Sequence, residues 1–131
     1  MSQKIPASHV RIRRAYEDPA PEDGERILID RLWPRGVKKE ALQLAEWNKD
    51  LAPSAELRKW FDHDPERWPE FRRRYAAELA EHPEAFEALR ERARSGVITL
   101  VYGAHDEQVN NAVALRGYLL GDDGLNAKQS E

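Results

Sequence analysis

The sequence predicts a small α/β protein, in which a layered, mainly parallel sheet has helices packed on its faces. Two segments, 26–33 and 97–103, carry contiguous aliphatic and β-branched residues, which is typical of strands covered on both faces. Helical patterns separate these segments along the chain, and a parallel strand pair needs such a crossover connection. A chain of 131 residues fits one α/β domain, over residues 1–131, with one hydrophobic core.

Two strand patterns occupy the first quarter of the chain. HVRIRRAY (9–16) alternates apolar and basic residues over most of its length, which predicts a half-buried strand. The next segment, 17–25, contains two prolines and an Asp-Gly pair, so it should be a surface connection. RILIDRLW (26–33) then places three aliphatic residues in succession, and we expect it to be the central strand.

The apolar period changes to that of a helix after residue 38. KKEALQLAEW (38–47) predicts a weak and irregular helix. SAELRKWF (54–61) predicts a short amphipathic helix, with Ser54 as its N-cap. The main helix should start near Trp68, because Pro69 would interrupt a helix that began earlier. Its predicted buried stripe consists of Trp68, Phe71, Tyr75 and Leu79.

The last third of the chain predicts a helix, a strand and a closing helix. The helix covers 83–96 and is stopped by Gly96, and the buried strand VITLVYG follows at 97–103. The closing helix is expected over 105–121. We expect an ordered core over about 9–120 and frayed termini beyond it.

Composition narrows the classes of function. The net charge of −3 and the pI near 5.9 give no global electrostatic reason for binding nucleic acid. The absence of cysteine rules out a disulfide, a thiolate nucleophile and a cysteine metal site, and it suits a reducing cytoplasm. No segment approaches the roughly 20 apolar residues of a membrane span, and the first residues contain no apolar stretch of signal-peptide length, so we expect no signal peptide. We therefore expect a cytoplasmic protein without a membrane partner.

Two loops should meet at one edge of the sheet, because ligands of open parallel sheets bind beyond the carboxyl ends of the strands. The first is RLWPRG (31–36), and the second is YGAHDEQVNN (102–111), which leads into the closing helix. Together they supply the predicted ligand-binding residues: Arg31, Trp33, Arg35, Lys38, Tyr102, His105, Asn110 and Asn111.

Cations beside a helix N-terminus predict an anionic ligand. A guanidinium can bind a phosphate or carboxylate through two hydrogen bonds, and free N–H groups at a helix start also favour negative charge. Arg35 is the leading anchor, since it lies between Pro34 and Gly36 just beyond the apolar strand. The implied partner is a phosphorylated or nucleotide-like small molecule.

The same loop residues also fit structural roles. Arg31 and Arg35 could pair with Asp30 or Asp50 and hold the loop in place. Trp33 could plug the core or the loop instead of stacking on a ligand. The sequence leaves both interpretations open.

Catalytic candidates are weaker. His105 and Asp106 are adjacent in the second loop, and His63 lies between two aspartates in FDHDP (61–65), which would suit acid–base work. A cap is the simpler interpretation of Asp106 and of Asp64. The phosphate-loop, dinucleotide, zinc-protease and serine-hydrolase motifs are all absent, so the sequence predicts no metal, indicates no cofactor and leaves catalysis open.

Several phrases resemble a known family. VRIRRAY, DGERILIDRLWPRG, LRKWFDHDPERWPEF and VITLVYGAHDEQVNNA are similar to the YeaO-like family of uncharacterised bacterial proteins, domain of unknown function 488. The resemblance spans about residues 9–120. It implies no activity and no site residues, because that family carries none that can be transferred.

Two functional hypotheses follow. The first is an α/β protein that binds a phosphate-bearing molecule at the cationic edge of the sheet, with or without acid–base catalysis. The second is a non-catalytic module that binds nucleic acid or protein. It would require an exposed aromatic and a convex arginine stripe, whose members would be Arg11, Arg13, Arg72 and Arg73. A concave pocket at the edge would favour the first hypothesis. The sequence does not indicate the oligomeric state.

Overall fold

Four parallel strands form one sheet in the computed structural model, which describes residues 5–121. The strands are β1 (Val10–Arg14), β2 (Glu25–Leu28), β3 (Glu46–Trp47) and β4 (Ile98–Tyr102), and their spatial order is β1-β4-β2-β3. The predicted α/β class with a parallel sheet is confirmed. The tail that was predicted to fray, 122–131, lies outside the described residues.

Strand β4 lies inside the sheet and pairs with a parallel neighbour on each side. Tyr102 at its end is in register with Arg14 of β1, and Val101 is in register with Leu28 of β2. All five residues of β4 are buried, as its apolar composition predicts. The three strands therefore end at one edge of the sheet, which we call the carboxyl edge.

In the described part of the chain, five α-helices accompany the sheet: α1 (Lys39–Leu42), α2 (Ala55–Phe61), α3 (Trp68–Leu79), α4 (Pro83–Ser95) and α5 (Asn111–Leu120). The predicted N-cap of α2 is confirmed, because the Ser54 hydroxyl accepts a hydrogen bond from the Leu57 N–H at 3.0 Å. Between residues 5 and 121, no helix is both long enough and apolar enough to cross a membrane.

The larger hydrophobic core lies on one face of the sheet. Ile27 and Leu100 face it from neighbouring strands, and helices α2 to α5 contribute the opposing side chains. The stripe predicted for α3 is confirmed, since Phe71, Tyr75 and Leu79 are buried there and Trp68 packs against them with partial exposure.

The second face of the sheet is covered mainly by the chain between β2 and β3. Leu28 and Val101 face it, and Leu42 of the one-turn helix α1 packs against them. Trp33 and Trp47 close this cluster, with their ring centroids 5.3 Å apart in an edge-to-face arrangement. Such aromatic pairs add to the energy of area burial.

A buried charge cluster occupies the other end of this second face. Asp23 is fully buried and accepts a hydrogen bond at 2.6 Å from Arg26, which is 3% exposed. Arg11 and Arg13 also point their guanidinium groups at Asp23, at 3.3 and 3.8 Å. The Arg26 Nε donates to the Leu42 carbonyl at 2.7 Å, which fixes the guanidinium beside α1.

The helix predicted over 38–47 is wrong in its second half. Helix α1 ends at Leu42, because Gln43 adopts a left-handed conformation with φ 49°. The chain then forms the short edge strand β3, whose Trp47 pairs with Leu28. The Trp47 indole N–H donates to the Asp30 carbonyl at 2.7 Å, so tertiary contacts override the helical tendency of this segment.

Two other predicted boundaries are also wrong. Strand β2 ends at Leu28 instead of residue 33. The Ile29 N–H still donates to the Val101 carbonyl, but the next bond to the segment after β4 is made by a side chain, because the Asp30 carboxylate accepts the Gly103 N–H. Helix α5 begins at Asn111 instead of residue 105, because the Asn110 side chain accepts the N–H of Val113 and so caps the helix. Both differences lengthen the loops at the carboxyl edge.

Candidate functional site

A cavity of about 660 Å³ opens at the carboxyl edge, and we call it the rim cavity. It is formed by the loop after β2, the loop after β4 and the end of α2. Its volume is within the usual range for small-molecule sites. Its lining residues are Tyr16, Asp30, Leu32, Trp33, Pro34, Arg35, Pro53, Ala55, Arg58, Lys59, Phe61, Asp62, His63, Phe71, Gly103, Ala104, His105, Val109, Asn110 and Asn111.

The loop after β2 gives one wall of the rim cavity. The Trp33 indole N–H donates to the Val37 carbonyl at 2.6 Å, which fixes the ring between the loop and the second core. The backbone carbonyl of Arg35 accepts a hydrogen bond from the Tyr16 hydroxyl at 3.1 Å. These two contacts hold the backbone, while the Arg35 side chain is exposed at the cavity.

Asp30 lies where β2 and β4 end. Its Oδ2 accepts the backbone N–H of Gly103 at 2.8 Å, and its Oδ1 accepts the side-chain amide of Asn111 at 3.0 Å. The same Asn111 nitrogen donates to the Ile29 carbonyl at 3.0 Å, so its amide is fixed between strand and helix. Burial raises the pKa of Asp30, and the hydrogen bonds together with the Arg58 charge offset this only in part.

The loop after β4 is organised by its own side chains. Asp106 accepts the N–H groups of Gln108 and Val109, at 2.8 and 3.1 Å, and these bonds lower its pKa. The Asn110 amide donates to the Asp106 carbonyl at 2.8 Å while its oxygen caps α5. Both side chains therefore build the turn that leads into the helix.

His105 projects from this loop into the rim cavity. Its Nδ1 lies 3.3 Å from the Arg14 Nη2, and the Arg14 Nε donates to the Ala104 carbonyl at 2.8 Å. A guanidinium can only donate, so the Nδ1 of His105 is the acceptor. In that arrangement the ring proton is on Nε2, and His105 offers a neutral N–H donor.

Helix α2 and the turn after it supply a third wall, whose cations the sequence analysis missed. Arg58 and Lys59 lie in its last turn and line the rim cavity. Asp62 and His63, just beyond the helix, also line it and both have left-handed backbones, with φ 48° and 56°. Such conformations are uncommon in residues other than glycine. Only the two basic residues at the predicted end of the helix could have signalled this wall.

The structure brings six of the predicted site residues into the wall of the rim cavity: Trp33, Arg35, His63, His105, Asn110 and Asn111. Across residues 5–121, four others do not line it: Arg31, Lys38, Tyr102 and Asp106. The Arg31 Nε is directed at the Pro53 carbonyl, 3.4 Å away. Tyr102 is 2% exposed, and Lys38 precedes α1 on the surface.

The charges on the wall favour an anion. Arg35, Arg58 and Lys59 contribute three positive charges, against two carboxylates from Asp30 and Asp62. In the described part of the chain, none of the three cations has a carboxylate within ion-pair distance. The ion pair of Arg35 with Asp30 or Asp50, which was the structural alternative, is not formed.

The arginines that would form a convex stripe lie in separate ion-pair clusters. Arg11 and Arg13 contact the buried Asp23. Arg73 forms two hydrogen bonds with Glu70, at 3.0 and 2.5 Å. Hydrogen bonds from Arg73 and its neighbour Arg74 lower the pKa of Glu70 to about 2. Arg11, Arg13 and Arg73 are therefore paired with carboxylates of the protein itself.

Trp60 lies beside this helical arginine run. The guanidinium carbons of Arg67 and Arg74 lie over its ring, 5.3 and 4.2 Å from the centroid. Cations of the protein itself therefore occupy the π surface that a nucleic-acid base would need.

A smaller cavity of about 440 Å³ lies between β3 and α4. Its cation, Arg92, is already paired with Glu46 at 2.6 Å and with Glu25 at 3.5 Å. Arg92 therefore differs from Arg35 and Arg58, which have no carboxylate at ion-pair distance within residues 5–121. The ammonium of Lys49, the other cation of this wall, lies 4.2 Å from the Trp47 ring centroid. The wall consists of Glu46, Trp47, Asn48, Lys49, Asp50, Ala85, Ala88, Leu89 and Arg92.

Across residues 5–121, no group of three or more His, Asp or Glu side chains is arranged to hold a metal ion. The rim cavity contains two histidines and two aspartates, but Asp30 is bonded to protein donors.

Comparison with known proteins assigns the family. The family model DUF488-N3i, described as the inactive DUF488-N3 subclade, matches residues 9–130. The chain belongs to this family. The uncharacterised protein YeaO of Escherichia coli (strain K12) is 41% identical over 111 residues, which are 85% of this chain and 96% of YeaO. The predicted resemblance to the YeaO-like family is confirmed.

A mycobacterial protein is equally similar. The uncharacterised protein Rv3073c of Mycobacterium tuberculosis (strain ATCC 25618 / H37Rv) is 41% identical over 114 residues, covering 87% of this chain and 96% of that protein. No solved structure matches the chain significantly.

Proposed function

We propose that this DUF488 protein binds a small phosphate-bearing, nucleotide-like molecule in the rim cavity. The observation that carries the proposal is the pairing of an apolar wall with cations that have no carboxylate at ion-pair distance within residues 5–121. Arg35 and Arg58 reach the same cavity from a loop and from α2. Two guanidiniums can bind one phosphate through several charge-assisted hydrogen bonds, which are about twice as strong as neutral ones.

The apolar wall gives the ligand a second kind of contact. Trp33, Phe61 and Val109 line the cavity opposite or beside the charged groups, and Leu32 at its mouth is 62% exposed. Ligand pockets combine apolar walls with a small number of placed polar groups. A phosphate ester with an organic part uses both kinds of wall, whereas a free inorganic ion would use only one.

His105 would add a neutral donor to the anion site. Its Nδ1 is held by Arg14, and within residues 5–121 its Nε2 has no hydrogen-bond partner. A donor that is already oriented loses little entropy when the ligand binds. We infer that it contacts the phosphate or the atom next to it.

Binding without turnover is the form of the proposal that we favour. The subclade is described as inactive, and the cavity wall contains no Ser, Thr or Cys among the described residues. Asp106 is committed to its turn, which removes one acid–base candidate. The absence of cysteine supports a role in the reducing cytoplasm.

The proposal is tested by titrating the protein with ribose phosphate while recording backbone amide NMR spectra. Arg35→Ala should weaken binding roughly ten- to a hundred-fold, since a hydrogen bond to a charged group is worth about 1.5–3 kcal/mol. Arg35→Lys should recover only part of the affinity, because it keeps the charge but loses the planar fork.

Lys38→Ala is the matched control, because it removes a positive charge from the same loop but outside the cavity wall. It should leave the affinity within about threefold of wild type, as expected for one screened surface charge. Equal losses for Arg35→Ala and Lys38→Ala would mean diffuse attraction and would contradict a defined site.

A further inference from the structure

Asp30 is the one carboxylate of the rim cavity that the protein holds rigidly. One oxygen is fixed by the Gly103 N–H and the other by the Asn111 amide, at 2.8 and 3.0 Å. Gly103 also leaves the room that this approach needs, since a Cβ there would lie 3.0 Å from the Asp30 Oδ2. The position of the carboxylate is therefore determined by the end of β4 and the start of α5.

These contacts do not use the full acceptor capacity of Asp30. A carboxylate oxygen can accept two hydrogen bonds, and within residues 5–121 each Asp30 oxygen accepts one. The nearby Arg58 acts on Asp30 through its charge but forms no ion pair with it. Asp30 thus presents oriented acceptor positions in the cavity wall.

We propose that Asp30 accepts a hydrogen bond from a hydroxyl group of the ligand, so that the rim cavity selects a phosphate ester whose organic part carries hydroxyls. This inference rests on the proposed function, because it assigns the part of the ligand that the phosphate site leaves free. Sugar phosphates, including the ribose phosphate of a nucleotide, belong to this chemical class.

A neutral hydroxyl fits better than an ammonium group. The wall carries three positive side chains against two carboxylates, and Arg58 already lies close to Asp30. An ammonium on the ligand would gain from Asp30 but would be repelled by these cations. A hydroxyl donates the same hydrogen bond without that repulsion.

The test compares three ligands with one phosphate group each: ribose phosphate, methyl phosphate and aminoethyl phosphate. Wild-type protein should bind ribose phosphate roughly tenfold more tightly than methyl phosphate, as expected for one hydrogen bond to a charged acceptor. Aminoethyl phosphate should bind no better than methyl phosphate. A preference for aminoethyl phosphate would overturn the hydroxyl assignment.

Asp30→Asn should abolish the preference for ribose phosphate and leave the binding of methyl phosphate within about threefold of wild type. Glu107→Gln is the matched control, because it removes an exposed carboxylate of the loop after β4 that does not line the cavity. It should keep the preference. Equal preferences in wild type and Asp30→Asn would overturn the inference and leave the phosphate site standing.

Gly103→Ala covers the case in which Asp30→Asn does not fold. The added Cβ displaces the Asp30 carboxylate by a few tenths of an ångström without changing its charge. The preference should fall at least threefold, and an unchanged preference would overturn the inference. Failure of the wild type to bind either ester would overturn the proposed function itself, so the two failures are distinguishable.

Discussion

Replacing Asp23 with alanine should destabilise the protein by about 3–5 kcal/mol, the usual cost of breaking a buried ion pair from one side. The magnitude follows from which arginine loses its partner. Arg26 is 3% exposed and held by the Leu42 carbonyl, so it stays buried with an uncompensated charge. The Arg11 and Arg13 side chains are 33% and 25% exposed, so they can turn toward water and add little.

Urea denaturation followed by tryptophan fluorescence measures this loss directly. With an m-value of about 1–3 kcal/mol/M, the expected change corresponds to a midpoint shift of at least about 1 M. Glu22→Ala is the control, since it removes an exposed acid from the same turn and should change stability by less than about 0.5 kcal/mol. A loss below about 1 kcal/mol for Asp23→Ala would refute the buried-charge argument.

The pH dependence of the stability difference between wild type and Asp23→Ala gives a second check. Burial raises the pKa of Asp23, but hydrogen bonds from the Ala20 N–H and Arg26, with the charges of Arg26 and Arg13, outweigh it, so the pKa is lowered. A carboxyl whose folded-state pKa is lowered stabilises the fold above its unfolded pKa of about 4 and loses this contribution as the pH falls further. The difference between wild type and Asp23→Ala should therefore shrink below pH 4.

Two further changes test the packing of the sheet. Leu79→Ala should cost about 2–5 kcal/mol in urea denaturation, because Leu79 is 1% exposed in the larger core, and a loss below about 0.5 kcal/mol would contradict its position in α3. Gly24→Ala should lower the melting temperature, since it would place a Cβ 2.1 Å from the Val97 carbonyl oxygen at a φ of +63°. Rotamer changes cannot relieve this clash because it is with a backbone atom, and an unchanged melting temperature would contradict that contact.

The sequence predicted the fold where the local pattern and the tertiary packing agree. Contiguous aliphatic residues identified β2 and β4, and Ser54 marked the start of α2. The two-residue strand β3 carries no periodicity of its own, and only the contacts of Trp47 with the rest of the fold define it. A pattern that short is not readable without the tertiary structure.

The candidate site was predictable to the extent that parallel strands end at one edge. That rule indicated that the loops carrying Arg35 and His105 should meet, and both residues line the rim cavity. It could not indicate Arg58, whose role depends on how α2 packs across the sheet. Asp30 was considered only as a partner for arginine, because its bonds to Gly103 and Asn111 connect residues more than 70 positions apart.

The most direct test of the rim cavity as a ligand site is a crystal soaked with a mixture of nucleotides and sugar phosphates. Electron density for a phosphate beside Arg35 and Arg58, with a hydroxyl within hydrogen-bond distance of Asp30, is the predicted result. A ligand bound only at the cavity between β3 and α4, or a rim cavity that contains only ordered water at saturating ligand, would contradict it.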